Sequence, residues 1–125
     1  LKPTFSNFYP AATTPANSED VTAFVNDDPL QEYIIASDAT LGSTLALRKS
    51  KIGLTYATTS AAGSTTTGKS SVQLGISTAA TTAKALRVVR VAEDPENEDQ
   101  TAANCSVVVK INLHQYTVGS LATGI

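Results

Sequence analysis

SVVVKINLHQY, residues 106–116, alternates with a period of two: Val107, Val109, Ile111 and Leu113 fall on one side of an extended chain, and Val108, Lys110, Asn112 and His114 on the other. Successive side chains of a strand point to opposite faces. One side of this segment therefore goes to a core and the other, mostly polar, to solvent or a partner. Outward from it the same β-type composition recurs in short runs: ALRVVRVA (85–92), SVQLGIS (71–77), IGLTYATT (52–59), EYIIA (32–36) and VTAFV (21–25). Val, Ile, Thr, Tyr and Phe suit a pleated, half-buried surface. NDDP (26–29) is a turn signal and predicts a hairpin of 21–25 with 32–36. ATLGSTLALRKS (39–50) leaves a short helix and a strand both open. No helical stripe exceeds three turns. The expectation is an all-β fold, a small β-barrel or β-sandwich of about six to eight short strands, forming one domain over residues 21–125.

Residues 1–20, LKPTFSNFYPAATTPANSED, break this rhythm with Pro3, Pro10 and Pro15. Proline at three places prevents helix and central-strand pairing, so this stretch reads as an extended N-terminal arm. Phe5, Phe8 and Tyr9 place three aromatics in five positions. They serve as anchors, either on the arm's own domain or on a neighbouring subunit. The chain begins at Leu1 rather than Met, which fits the ordered part of a longer product, and its start lacks the basic-then-apolar order of a signal peptide.

Composition narrows the function. Of 125 residues, 48 are Ala, Thr or Ser, and the formal net charge is -2. That balance argues against a nucleic-acid surface built on excess Lys and Arg. No apolar run approaches the roughly 20 residues of a membrane span. A single Cys excludes an intramolecular disulfide framework and a multi-Cys metal site, and a single His removes His-pair zinc chemistry. No cofactor and no metal are expected.

Each chemical motif has a plainer reading beside it. GSTTTGKS (63–70) formally matches the phosphate-binding loop GxxxxGK[ST], with Lys69 in the lysine position. Such a loop needs a buried strand before it and a helix after it; SVQLGIS follows instead, and a hairpin loop explains the run. DPENED (94–99) belongs to a stretch with five of the eleven acidic residues. Carboxylates bind Ca²⁺, but the alternating spacing and central Gly of a calcium loop are missing, so it reads as a solvated turn. Asn104-Cys105-Ser106 is formally a glycosylation sequon. Cys105 reads as a small buried side chain just ahead of the last strand, and His114 as a surface or interface residue, although a dyad of His114 with Cys105 or a Ser is not refuted by sequence. Arg48, Lys49 and Lys51 form the basic cluster, either a solvated turn or a patch that steers an acidic partner. Arg87 and Arg90 interrupt an apolar strand and, if it is regular, point to opposite faces.

Three stretches together, VTAFVNDDPLQEYIIASDA (21–39), GSTTTGKSSVQLGISTAATTAKALRVVRV (63–91) and DPENED leading through VVVKINLHQY to the terminal GSLATGI (94–125), resemble a family of structural proteins encoded beside the major capsid protein in tailed bacteriophages. They cover about three quarters of the chain, in an order and spacing more distinctive than any one piece. The resemblance implies a capsid decoration (cement) protein, with another head or virion component next. It implies that GSTTTG is an inter-strand loop with no nucleotide role, that Lys69 is incidental, and that a further segment precedes FSNFYP.

The expectation is thus a non-enzymatic protein on the capsid exterior, made in the host cytoplasm. Its expected partners are the major capsid protein and further copies of itself, a trimer first, through Phe5, Phe8, Tyr9, Arg48, Lys49 and Lys51. The competing class is a tail, fibre or adhesion-type module that binds a surface carbohydrate or protein. Sugar-binding β-domains present exposed aromatics for ring stacking, and this chain has no Trp. An enzyme ranks third.

Overall fold

The computed structural model describes residues 22–64, 66–97 and 99–114. The arm of residues 1–20 with Phe5, Phe8 and Tyr9, and the terminal GSLATGI, lie outside the described residues. The strands are β1 (Glu32–Ala36), β2 (Thr55–Tyr56), β3 (Thr58–Thr59), β4 (Gln73–Leu74), β5 (Leu86–Val91) and β6 (Ser106–Ile111), with one helix, α1 (Leu45–Lys51), and single 3-10 turns at Ile76–Thr78 and Pro95–Asn97. Every strand pair is antiparallel. The described residues are therefore all-β apart from one short helix.

β6 lies inside a four-stranded sheet of order β1-β6-β5-β2, and β3 and β4 form a second, two-stranded sheet. The period-two alternation of 106–111 is what places it there. Val107 pairs with Ile35 and Val91, and Val109 with Tyr33 and Val88, so one face collects aliphatic side chains from three strands. Val107 and Val109 are 0% and 1% exposed. Leu41, Tyr56, Leu74, Ile76 and Cys105 complete the core. At roughly 1.5–3 kcal/mol for each large aliphatic side chain fully buried, this cluster dominates the stability of the fold. Tyr56 sits in it with its hydroxyl donating to the Lys51 carbonyl at 2.8 Å, and burial pushes the phenol up to about 12.

The two sheets are joined at β1 and β2. Ser37 forms a parallel bridge to Leu74 and Thr55 an antiparallel bridge to Ala80. Only Ala57 separates β2 from β3. Asp38 fastens the first join: its Oδ1 accepts the Ile76 amide at 2.8 Å and its Oδ2 the Thr59 hydroxyl at 3.1 Å. Gly75 is required there for space, since a Cβ would lie 2.9 Å from Thr59 Oγ1 and 3.3 Å from the Ala57 carbonyl.

Several sequence expectations are corrected. Residues 22–28 are exposed and form no strand, so the hairpin of 21–25 with 32–36 is not made. NDDP does turn the chain, with Asp28 Oδ1 accepting the Leu30 amide at 2.9 Å, but β1 pairs with β6, which offers Tyr33 and Ile35 a valine-rich face. In 39–50 the helix wins. Thr44 caps it by accepting the Leu47 amide at 3.2 Å, and Gly42 supplies φ +142° where a Cβ would meet Leu47 Cβ at 2.6 Å. SVQLGIS keeps only Gln73–Leu74 as strand before the 3-10 turn, and β6 ends at Ile111, leaving Leu113 57% exposed. Of the surface and interface readings of His114, an exposed side chain is not what forms: the imidazole is 6% exposed, with Nε2 3.1 Å from Asp27 Oδ1.

The strand carrying Arg87 and Arg90 is not regular. Its register against β6 shifts between Val88 and Arg90, so Val89 is an extra residue, a β-bulge. Arg87 pairs with Lys110 and Arg90 with Val108. These partners are two apart on β6, and both arginines therefore share the sheet face that points away from the core, rather than opposite faces.

Candidate docking interface

Three surfaces stand out, the first and third of them carrying side chains singled out by sequence. The first is α1. Arg48, Lys49 and Lys51 fall in its last turn, where cations complement the carbonyl end of the helix. Lys49 is exposed and Lys51 half-buried. Arg48 turns inward, its Nη1 donating to the Gly42 carbonyl at 3.1 Å and its Nε buried without a partner. Leu45 and Leu47, 58% and 50% exposed, add apolar area beside the basic residues.

The second is the segment leading into β1. Phe24, Val25 and Leu30 are 91%, 80% and 74% exposed. Tyr33, whose hydroxyl donates to the Asn26 carbonyl at 3.4 Å, and the Asp27–His114 pair hold its end against the sheet.

The third is the outer face of the main sheet. Glu32 on β1 reaches Arg90 on β5 at 3.3 Å and Lys110 on β6 at 3.8 Å. Register sets Arg87 directly beside Lys110. Two cations thus share the Glu32 carboxylate, with Arg87 beside one of them. Exposed pairs of this kind are worth about 0–1 kcal/mol each, and like charges side by side on neighbouring strands are unfavourable, so this arrangement contributes little to the fold. Ile34, 70% exposed, stands among them over a shallow depression bordered by Arg90, Val108, Glu93 and Asp94.

GSTTTGKS occupies the hairpin between β3 and β4, with the Ser64 amide on the Lys69 carbonyl at 3.0 Å and the Gly68 amide on the Ser64 carbonyl at 2.8 Å. β4 follows it, not a helix, so the helix N-terminus that a phosphate-binding loop needs is not part of this segment. Within the acidic run, Asn97 is buried and acts as a peg. Its Nδ2 donates to the carbonyls of Ala92 (2.8 Å) and Ser106 (2.9 Å), and its Oδ1 accepts the Ser106 amide at 2.9 Å. Asp99, fully exposed, is held below the usual carboxylate range first by the Thr101 hydroxyl and then by the Thr101 amide, with a smaller pull from Arg48. Burial pushes the Cys105 thiol up, which disfavours a thiolate at neutral pH. Among the described residues no three His, Cys, Asp or Glu side chains converge on a metal position, and no helix is long and apolar enough to cross a membrane.

No family model, no curated protein and no solved structure matches this chain. Sequence reasoning singled out Arg87 and Arg90 but missed Glu32 and Lys110 as their neighbours. It had the signal for both, since each occupies an outward position of an alternating strand. Nothing marked Asn97 or Asp38, whose roles depend on backbone groups brought from distant segments.

Proposed function

We propose that this chain is a non-enzymatic virion structural protein that decorates the outer surface of a tailed-phage capsid and stabilises its lattice. The observation that carries the reading is the exposed apolar segment of Phe24, Val25 and Leu30. It continues directly from the proline-rich arm of residues 1–20 and runs into β1 of a small, Thr- and Ser-rich β-domain. An apolar strap fits a protein that covers a neighbour with it. At about 25 cal/mol per Å², burying three such side chains contributes several kcal/mol to a contact, and an arm linked to a second site raises the effective concentration further. The domain is read as a small barrel, in which the Ser37–Leu74 bridge and the continuous run from β2 to β3 carry the hydrogen bonding around from one sheet to the other. Its partners in this reading are the major capsid protein and further copies of the chain, first as a trimer.

Phe24 gives a specific reason to keep a second reading, since an exposed ring also suits a fibre or adhesion module stacking on a sugar. Quantitative mass spectrometry of purified particles tests the proposal. A fixed ratio to the major capsid protein, near one or a simple fraction of it, supports decoration. A handful of copies per particle favours the fibre reading, and absence from the particle overturns both virion assignments. Truncation of residues 1–20 is expected to weaken capsid binding while leaving the β-domain folded.

A further inference from the structure

We propose that the exposed strap of residues 22–25 adds as a strand to the free edge of β1 in a neighbouring copy of this chain. β1 is an outermost strand of the main sheet. Along β6 the even-numbered residues bond toward β5, since the Ala92 amide donates to the Ser106 carbonyl at 3.0 Å and the Asn112 amide to the Ala85 carbonyl at 2.8 Å. Backbone groups alternate in direction along a strand, so Val107 and Val109 bond the other way, to Ile35 and Tyr33 on β1. The amide and carbonyl of Ile34, which lies between those two, therefore point away from β6, and among the described residues nothing bonds to them. Leu74 covers the edge from Ser37 onward, its carbonyl accepting the Asp38 amide at 3.0 Å. The stretch from Glu32 to Ile35 stays open, and an open edge is a template for pairing with another chain.

The strap supplies the matching half. Residues 22–25, TAFV, have strand composition, yet they form no strand and are exposed. Within one chain the two halves are held apart, because the Tyr33 hydroxyl on the Asn26 carbonyl and the Asp27–His114 pair fasten the root of the strap at the end of the sheet. A second copy brings the same strap to the same edge with those tethers intact. Antiparallel pairing fits: the root of the strap and its domain then lie beyond Glu32, whereas a parallel strap would drive them into Leu74. With Ala23 opposite Ile34 and exchanging both backbone bonds with it, Phe24 falls opposite Tyr33 and Val25 opposite Glu32. Phe24 then extends the row of Tyr33 and Ile35, which pack on the core but are themselves partly exposed, and makes a cross-strand aromatic pair. Donor and acceptor both belong to this chain, which is why the occupant is a second copy.

Each copy holds one donor and one acceptor, so the exchange closes reciprocally in a pair or around a ring. A single contact is small. Four residues at about 3.4 Å span roughly 14 Å of edge, well short of the ~800 Å² per partner of a stable complex, and a dissociation constant of about 0.1–1 mM is expected. The contact assigns the strap of the decoration reading to a sister copy and rests on that reading in treating the strap as an interface; it needs no capsid.

Cysteine pairing in the full chain tests the contact, with Ala23→Cys and Ile34→Cys made separately and mixed in a glutathione redox buffer. Opposed residues that exchange backbone bonds lie about 5.5 Å apart at Cα, within reach of a disulfide. Intact-mass spectrometry is expected to show the mixed disulfide about tenfold over either homodimer, because pairing raises the effective concentration of that one combination. Sedimentation velocity up to about 1 mM is expected to show the wild type associating and Phe24→Ser, a change at an exposed position, losing about tenfold or more in affinity. Ile34→Pro removes an amide that β6 does not use, a change an edge strand tolerates; it is expected to lose as much, with the melting temperature little altered. A wild type that stays monomeric overturns the proposal, as do homodimers as abundant as the mixed disulfide. A chain carrying both cysteines that closes the bond on itself as a monomer shows the strap on its own edge and also overturns it. If particles carry a monomeric wild type at a fixed ratio, the exchange falls and the decoration reading stands; a chain that exchanges straps but is absent from particles keeps the exchange and removes the decoration reading.

Discussion

Replacing Asn97 by Ala removes a side-chain amide that stands in for a peptide group at the end of the sheet. Three hydrogen bonds are lost, to the Ala92 carbonyl, to the Ser106 carbonyl and from the Ser106 amide. The Ser106 carbonyl keeps a second donor, the Ala92 amide at 3.0 Å, so the largest cost is at the Ser106 N–H. Asn97 itself is only 8% exposed, which leaves that donor little access to water. With about 1 kcal/mol net for each bond and an added 1–3 kcal/mol for a buried donor left unpaired, the substitution should cost about 3 kcal/mol. Over an urea slope of about 1.5 kcal/mol per M, that is a fall of roughly 2 M in midpoint. Asn97→Asp separates geometry from volume. It retains the acceptor for Ser106 but points a carboxylate oxygen at two carbonyls. Burial raises the pKa of that carboxyl above its unfolded value, so the protonated, donating form is favoured in the folded state. The Asp variant should therefore gain stability relative to wild type as pH falls through the carboxylate range, and lose it again as pH rises. An Ala variant within 0.5 kcal/mol of wild type, a margin small against the ~1 kcal/mol of one bond, would falsify the claim that Asn97 pins β5 to β6.

Two further substitutions test the core and the join between the sheets. The Tyr56 phenol, raised from 10.0 to about 12 by burial, contributes stability that is complete below pH 10 and is lost as pH rises toward 12. Tyr56→Phe should cost about 1 kcal/mol at neutral pH, for the bond to the Lys51 carbonyl, yet decline less over that alkaline interval; urea midpoints with equal alkaline slopes for both proteins would contradict it. Asp38→Ala should cost about 1–2 kcal/mol by orphaning the Ile76 amide, with amide exchange accelerating first at Leu74 and Ile76. Unchanged exchange there would show that the Ser37–Leu74 bridge holds the sheets together without the carboxylate.

What the sequence made legible follows the range of the signal. The alternation of Val107, Val109 and Ile111 identified the central strand and its core side, because a period of two is a local property that burial then acts on, but Val108 on the opposite side is buried as well, at 3% exposed. Cys105 before that strand was legible from its residue type, a small side chain that packs inside. The VTAFV run misled because β-propensity reports suitability for a half-buried surface, not the availability of a partner; Tyr33 and Ile35 on β1 found a better one on β6, about 75 residues away in register. His114 misled in a similar way. An outward position on a strand was taken as exposure, but the strand stops at Ile111 and Asp27 comes from the other end of the chain to cover the imidazole.

The candidate surface shows the same limit in its sharpest form. A regular strand places Arg87 and Arg90 on opposite faces, with one of them directed at the core, and nothing in LRVVRV announces the interruption. Val89 resolves the conflict by being counted out of the register. The driving force is the core itself: Val88 must oppose Val109 and Val91 must oppose Val107 if the first is to be buried and the second packed against the core, and the spacing of three between them permits this only when one intervening residue is extra. Packing of these two valines thus selects the bulge, and the bulge brings both arginines to the face that carries Lys110 and Glu32. The charge pattern of the outer face is in this sense a consequence of how the inner face packs.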